Sequence, residues 1–298
     1  MDWLGYGLAT LALVFFGLYM VPRKLIGMRD RPFALSMSVG IVLTATLCSL
    51  LVHHTPLVTS HPGALYALAC GPLWFIGILL YSVSVSEMGL TLSTPIKNTT
   101  AVLGTLVGLI VFAEWRETKP LEAVLGSLLV VVSAVIISRT GENDCRRSCL
   151  SVKGTLAALG AACGFAAYTL PLKGAQRLGL DTITLVAIMG WGIIATAALA
   201  YAVSHHRWRD WWGHPRREHA YALLCGAIWV MATYAMSEAI LRIGLAITWP
   251  FTNLNTIVTV ACGILVFHEI NVRKFWKVLL LGLAVGVIGV GLLGLARS

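Results

Sequence analysis

The chain has 298 residues, of which 58% are hydrophobic and only 12% charged, and its mean hydropathy is +0.83. Soluble domains carry about 25% charged residues, so a water-soluble globule of this size is excluded. The net charge of +9 does not call for nucleic acid, because Lys and Arg lie mainly in short connections between apolar runs rather than on one clustered basic face.

A membrane-spanning helix needs about 20 mostly apolar residues, and ten such segments can be drawn in chain order: 3–22, 33–52, 64–88, 90–113, 120–138, 152–172, 180–203, 219–243, 245–267 and 274–296. The expected fold class is an all-α membrane protein of ten transmembrane helices. The first segment follows Met1 and Asp2 with no basic leader or cleavage site, and is read as a retained helix. Fifteen of the 22 Lys and Arg fall in the odd-numbered connections, and six in the even ones and the termini. Odd connections are therefore expected in the cytoplasm and both termini outside. Ser148 should then be cytoplasmic and Ser298 extracytoplasmic, most simply in a plasma (inner) membrane. Between the seventh and eighth segments, Trp208, Trp211 and Trp212 suit one face of a short helix at the headgroups.

The chain is written twice. Residues 66–114 and 221–269 align without a gap at an offset of 155, and 15 of 49 positions match. Tyr66, Cys70, Gly71, Trp74, Gly89, Pro95, Asn98, Gly108, Phe112 and Glu114 recur as Tyr221, Cys225, Gly226, Trp229, Gly244, Pro250, Asn253, Gly263, Phe267 and Glu269. At an offset of 149, Gly5, Tyr19, Pro22 and Lys24 recur as Gly154, Tyr168, Pro171 and Lys173. Two halves follow, residues 1–150 and 151–298. Each has five helices, an odd number, so the second enters from the opposite side: the expectation is two five-helix inverted repeats. A duplicated membrane bundle points to a transporter, because two similar halves can rock about a site between them.

The fourth and ninth segments each carry a Pro three residues before an Asn: Pro95 with Asn98, and Pro250 with Asn253. Proline removes a backbone donor and breaks the helix, and paired breaks in the two halves point to a binding site. Asn98, Asn253 and Asn255 offer donors and acceptors that suit a hydroxyl-rich cargo, or they bond neighbouring helices. Lys97 is placed to hold an anionic group, or to snorkel. Aromatic faces pack on sugar rings, which nominates Trp74, Tyr81, Trp229, Tyr19 and Tyr168; packing is the alternative for each. Glu238 is the most deeply placed carboxylate and the candidate for proton exchange, set against a plain ion pair with Arg242 at i+4. Glu114 and Glu269 read as caps or interfacial groups. Gly104 and Gly108, four apart, read as a close-approach face.

The seven cysteines make no disulfide framework; Cys48, Cys70, Cys163, Cys225 and Cys262 read as buried thiols. The histidines lack metal-ligand spacing, and no phosphate-cradling loop or nucleophile elbow is present. No catalytic residue, metal or cofactor is expected.

The stretch from Phe16 through Tyr19, Pro22, Arg23 and Lys24, and that from Thr94 through Phe112, Ala113, Glu114 and Trp115, resemble the first and fourth helices of the glucose/ribose and rhamnose uptake branch of the drug/metabolite transporter superfamily. Ala113 stands where that branch has glycine. The resemblance implies secondary active transport of a small polar metabolite, most simply a sugar, by alternating access with proton coupling, as a monomer or homodimer. Two alternatives stay open: an exporter or exchanger of amino acids, drugs or phosphorylated organic anions, which charge reversal at Lys97 would separate from a sugar carrier, and a non-transporting scaffold or lipid-active enzyme.

Overall fold

The computed structural model describes residues 2–53, 60–88, 93, 96–138, 151–203, 208–265 and 272–296. These are almost wholly helical, with no strand among them. The helices are α1 (Trp3–Leu18), α2 (Asp30–His53), α3 (Gly63–Met88), α4 (Thr100–Leu106), α5 (Pro120–Ser138), α6 (Val152–Ala167), α7 (Thr169–Arg177), α8 (Thr182–Val203), α9 (Trp208–Trp212), α10 (Arg216–Ile243), α11 (Leu245–Thr252), α12 (Asn255–Leu265) and α13 (Val272–Ala296). Among the described residues seven helical stretches are long and apolar enough to cross a bilayer, including Arg31–Val52, Gly63–Ser84 and Phe275–Ala296; Trp3–Leu18 and Thr100–Val111 are shorter apolar helices. The chain is an integral, multi-pass membrane protein.

Several expected boundaries are corrected. α1 stops at Leu18 and the chain tightens into a 3₁₀ turn over Pro22–Leu25, because the proline ring blocks continuation of the α-helix. The expected segment 152–172 breaks at Tyr168 and resumes as α7 to Arg177. Pro171 is tolerated there in a first turn, where its missing N–H has no helical acceptor. The segment expected over 90–113 runs as α4 into a π turn at Val107–Val111; its residues 90–92, 94 and 95 lie outside the described residues. The ninth segment is split into α11 and α12.

The helices pair in a pattern that follows the sequence repeat. α1 packs on α10 and its repeat counterpart α6 on α3; α2 packs on α10 and its counterpart α8 on α3; α2 meets α8, and α5 meets α13. The correspondence extends to atoms. Gly5 sits against Ile243 and Arg242, and Gly154 against Met88 and Glu87. Asp2 accepts from the Gly5 N–H at 3.0 Å, and Ser151 from the Gly154 N–H at 3.3 Å. Asp2 lies 4.0 Å from Arg242, while Glu87 receives Lys153 at 2.7 Å. The Lys153 ammonium, first by hydrogen bond and then by charge, holds the Glu87 carboxyl below its ordinary value.

Small residues set the contacts, as they must where lipid removes the hydrophobic drive between helices. Gly71 meets the backbone of Gly192 on α8, and Gly226 meets that of Met37 and Gly40 on α2. Gly104 lies against the Trp249 ring and Gly108 against Ala246, so that pair is the expected close-approach face. Cys70 and Cys225 are buried, Cys48 and Cys262 are intermediate, but Cys163 is exposed. An apolar segment in a bilayer turns small side chains to lipid as readily as inward, so hydropathy alone misplaced it. In α9, Trp212 is 72% exposed, whereas the Trp211 indole donates to Ser36 Oγ at 2.8 Å. One ring of the pair thus faces outward and the other ties α9 to α2.

Candidate functional site

The two helix breaks fall at equivalent places. Asn98 and Thr99 form a turn before α4, and Asn253 and Leu254, 155 residues on, form a turn between α11 and α12. In the second break α11 continues through Pro250 and ends just after it, at Thr252. The Asn253 amide donates to the Trp249 carbonyl at 2.8 Å, capping α11 with its own side chain.

The breaks are bonded to one another. Asn98 Nδ2 donates to Thr256 Oγ1 at 2.9 Å. The Trp249 indole donates to the Thr100 carbonyl at 2.9 Å, and Thr105 Oγ1 donates to the Ala246 carbonyl at 3.1 Å. Asn98 is fully buried, and its Oδ1 has no hydrogen-bond partner among the described residues. A buried acceptor left unbonded costs about 1–3 kcal/mol, which makes Oδ1 a natural seat for a hydroxyl or N–H of a bound molecule.

An aromatic wall stands beside the breaks. Trp74 and its repeat counterpart Trp229 meet at 4.8 Å between ring centroids, tilted by 55°. Both are buried. Tyr168 stands edge-on to Trp249 at 5.5 Å, and its carbonyl accepts from the Cys70 thiol at 3.7 Å. Tyr19 stands edge-on to the Phe16 ring at 6.4 Å. The Lys97 ammonium lies 5.7 Å from the Tyr81 ring and 6.0 Å from the Phe165 ring, an attraction worth up to about 2 kcal/mol when desolvated.

The candidates divide. Lys97 and Tyr81 form one contact group. The turn at Asn98 meets the two helices that flank Asn253, α12 through Thr256 and α11 through Trp249, and Trp74 meets Trp229. Asn255 opens α12 half-buried, its carbonyl accepting from Thr259 at 3.2 Å. Glu238 lies elsewhere on α10, half-buried. The ion pair with Arg242 that was the alternative reading of Glu238 is not formed among the described residues: Arg242 faces Asp2, because the N-terminus of α1 lies against that end of α10. Trp249, Phe165 and Thr256 were not anticipated. Trp249 immediately precedes Pro250, but its repeat counterpart is Thr94, so the duplication did not mark it.

A helical membrane bundle with interrupted, mutually bonded helices and an aromatic interior has the architecture of a solute carrier. The model of the family "Sugar transport protein" matches residues 7–296, and the chain belongs to that family; it is a transport protein, not an enzyme. Relatives provisionally named as sugar uptake proteins are 24% identical. One from Streptococcus pyogenes serotype M1 matches over 78% of this chain and 79% of its own. One from Streptococcus agalactiae serotype V matches over 76% and 80%, and one from Listeria monocytogenes serovar 1/2a over 76% and 77%. A solved crystal structure superposes with a TM-score of 0.75 at 14% identity, over 98% of this chain and 97% of its own; at that identity the likeness is of fold alone.

Proposed function

We propose that the protein is a secondary active sugar transporter of the glucose/ribose and rhamnose uptake branch of the drug/metabolite transporter superfamily. It would work by alternating access between two inverted five-helix halves, residues 1–150 and 151–298, coupled to protons, with both termini outside the plasma membrane. The family and the relatives' names support the cargo. The helix pairing and the matched contacts of Gly5 and Gly154 support the repeat.

The observation that carries the site is the pair of equivalent helix breaks joined across the halves, with a buried acceptor on Asn98 left open. In this reading Asn98, Asn253 and Asn255 hydrogen-bond sugar hydroxyls, and Trp74, Trp229, Tyr81, Tyr19 and Tyr168 give the ring its stacking and hydroxyl contacts. Asn98→Ala is expected to raise KM for sugar about tenfold, the equivalent of one lost hydrogen bond to a buried group. Asn253→Ala is expected to do the same by loosening the α11 cap. Purified protein in proteoliposomes, assayed with radiolabelled glucose, ribose and rhamnose, tests both the function and the site. Absence of sugar-specific flux in the wild type would sink the function, and unchanged KM in both variants would return the two Asn to helix packing.

A second reading, an organic anion as cargo, rests on Lys97, whose ammonium is held between two aromatic rings. Lys97→Gln separates the two. A neutral sugar should keep its KM within about threefold, whereas an anion bound by charge should lose about tenfold or more, as a charged hydrogen bond is worth about 1.5–3 kcal/mol.

A further inference from the structure

One bond between the two helix breaks sets the chemistry of the open acceptor. Thr256, in the first turn of α12, is 5% exposed, and Asn98 is fully buried. Asn98 Nδ2 donates to Thr256 Oγ1 at 2.9 Å, so the N–H end of the amide is committed to protein. The other end, Oδ1, has no hydrogen-bond partner among the described residues. The surroundings hold both partners in place. The Asn98 carbonyl accepts from the Ala101 N–H at 2.9 Å, fixing the turn. Two residues on, the Thr100 carbonyl accepts the Trp249 indole, and the Trp249 ring fills the space that a Cβ at Gly104 would enter. The turn at Asn98 and the start of α12 are thus locked together.

The repeat shows why only one of the two amides is fixed in this way. At the 155 offset, Thr256 corresponds to Ala101. The equivalent contact of Asn253 would fall on that methyl group, which accepts nothing. The Asn253 amide turns back onto the Trp249 carbonyl of its own helix instead. An unrestrained asparagine presents either its donors or its acceptor, by a half-turn of its broad terminal torsion. A hydroxyl at position 256 removes that choice for Asn98.

We infer that Thr256 sets the hydrogen-bond polarity of the site, and with it the cargo selected. By holding Nδ2 it presents Oδ1 of Asn98 to the cargo, so the cargo must donate a hydrogen bond at that point. A free hydroxyl or N–H meets the demand. A hydrogen, a fluorine or an ether oxygen in its place does not. Thr256 is a positioning residue that acts through Asn98. The inference rests on the sugar reading above.

Two measurements on the purified full-length protein test it. The first needs no cargo: nuclear magnetic resonance of isotope-labelled asparagine side chains, with the Asn98 signal assigned by its loss in Asn98→Ala. The Asn98 amide protons should exchange about tenfold faster in Thr256→Val than in the wild type, the equivalent of one lost hydrogen bond, and Thr256→Ser should restore the slow rate. The second is inhibition of radiolabelled glucose uptake in proteoliposomes by monodeoxy and monofluoro glucoses. In the wild type, at one ring position, both analogues should bind about tenfold more weakly than glucose, because fluorine accepts but does not donate. Thr256→Val should raise the KM for glucose about tenfold with kcat within about twofold. In that variant the fluoro analogue at the same position should regain on glucose, since Nδ2 is free to turn toward it. If Thr256→Val does not fold, Thr256→Ala carries the same expectations. Unchanged amide exchange in Thr256→Val, fluoro analogues equal to glucose at every position in the wild type, or an unchanged KM with a lower melting point would each overturn the inference and leave Thr256 a packing residue. A slow Asn98 amide released by Thr256→Val in a protein that moves no glucose would uphold the fixed polarity and refute the sugar.

Discussion

Valine at Gly71 or Gly226 is expected to lower the melting temperature in detergent by about 10 °C, or to prevent recovery of folded protein. A Cβ at Gly71 would fall on the backbone of Gly192, and one at Gly226 on that of Met37 and Gly40. Backbone cannot swing aside as a side chain can, so α3 must separate from α8, or α10 from α2. Overpacking typically costs about 1–3 kcal/mol, occasionally more, and each kcal/mol shifts the melting point of a chain this size by about 2–4 °C. The two positions are repeat counterparts with equivalent neighbours, so their costs should agree. Gly7 and Gly291 have nothing within 4 Å of a Cβ; alanine there should leave the melting point unchanged or slightly higher, since alanine is the better helix former. Thermal scans of the four variants check this, and equal losses at all four would mean that helix contact is not the cause.

The features legible in the sequence were those carried by local chemistry or by the repeat itself. Two Pro-x-x-Asn breaks announced two interrupted helices, because a missing N–H is a property of the residue and not of its surroundings. Gly104 and Gly108 announced a close approach for the same kind of reason. What stayed hidden depended on contacts distant in the chain. Trp249 reaches Thr100, and its position carries threonine in the first half, so no echo pointed to it. Glu114 was visible as a repeated residue and as a cap, but the helix it caps begins at Leu245 and its cation is Lys173, facts of packing alone. The Glu238 and Arg242 spacing fits an ion pair within one helix, yet Arg242 was taken by Asp2 from α1. In a bilayer, moreover, lipid-facing and core-facing side chains are equally apolar, so hydropathy finds spans without orienting them. That is why Cys163 was expected inside and lies exposed.

If Glu238 is the proton-exchanging group of the proposed cycle, Glu238→Gln should abolish pH-driven accumulation while sparing cargo exchange. Glu238 lies five residues before the end of α10 at Ile243, about 8 Å along the axis. Arg242, the cation that would neutralise it, stands instead 4.0 Å from Asp2; among the described residues Glu238 makes no hydrogen bond or ion pair. Glutamine keeps the shape and a hydrogen-bonding head but cannot titrate. Wild-type proteoliposomes with an acidic exterior should accumulate sugar above the external level, with uptake rising as external pH falls. The Gln variant should reach only equality of inside and outside concentrations, with initial rates independent of pH. Counterflow, in which labelled sugar exchanges for unlabelled sugar without a gradient, should continue at close to the wild-type rate, because the helix breaks and the aromatic wall are unchanged. The structural alternative predicts the opposite pairing: a lower melting point, with accumulation scaling with the folded fraction. Accumulation at the wild-type ratio in the Gln variant would remove Glu238 from coupling.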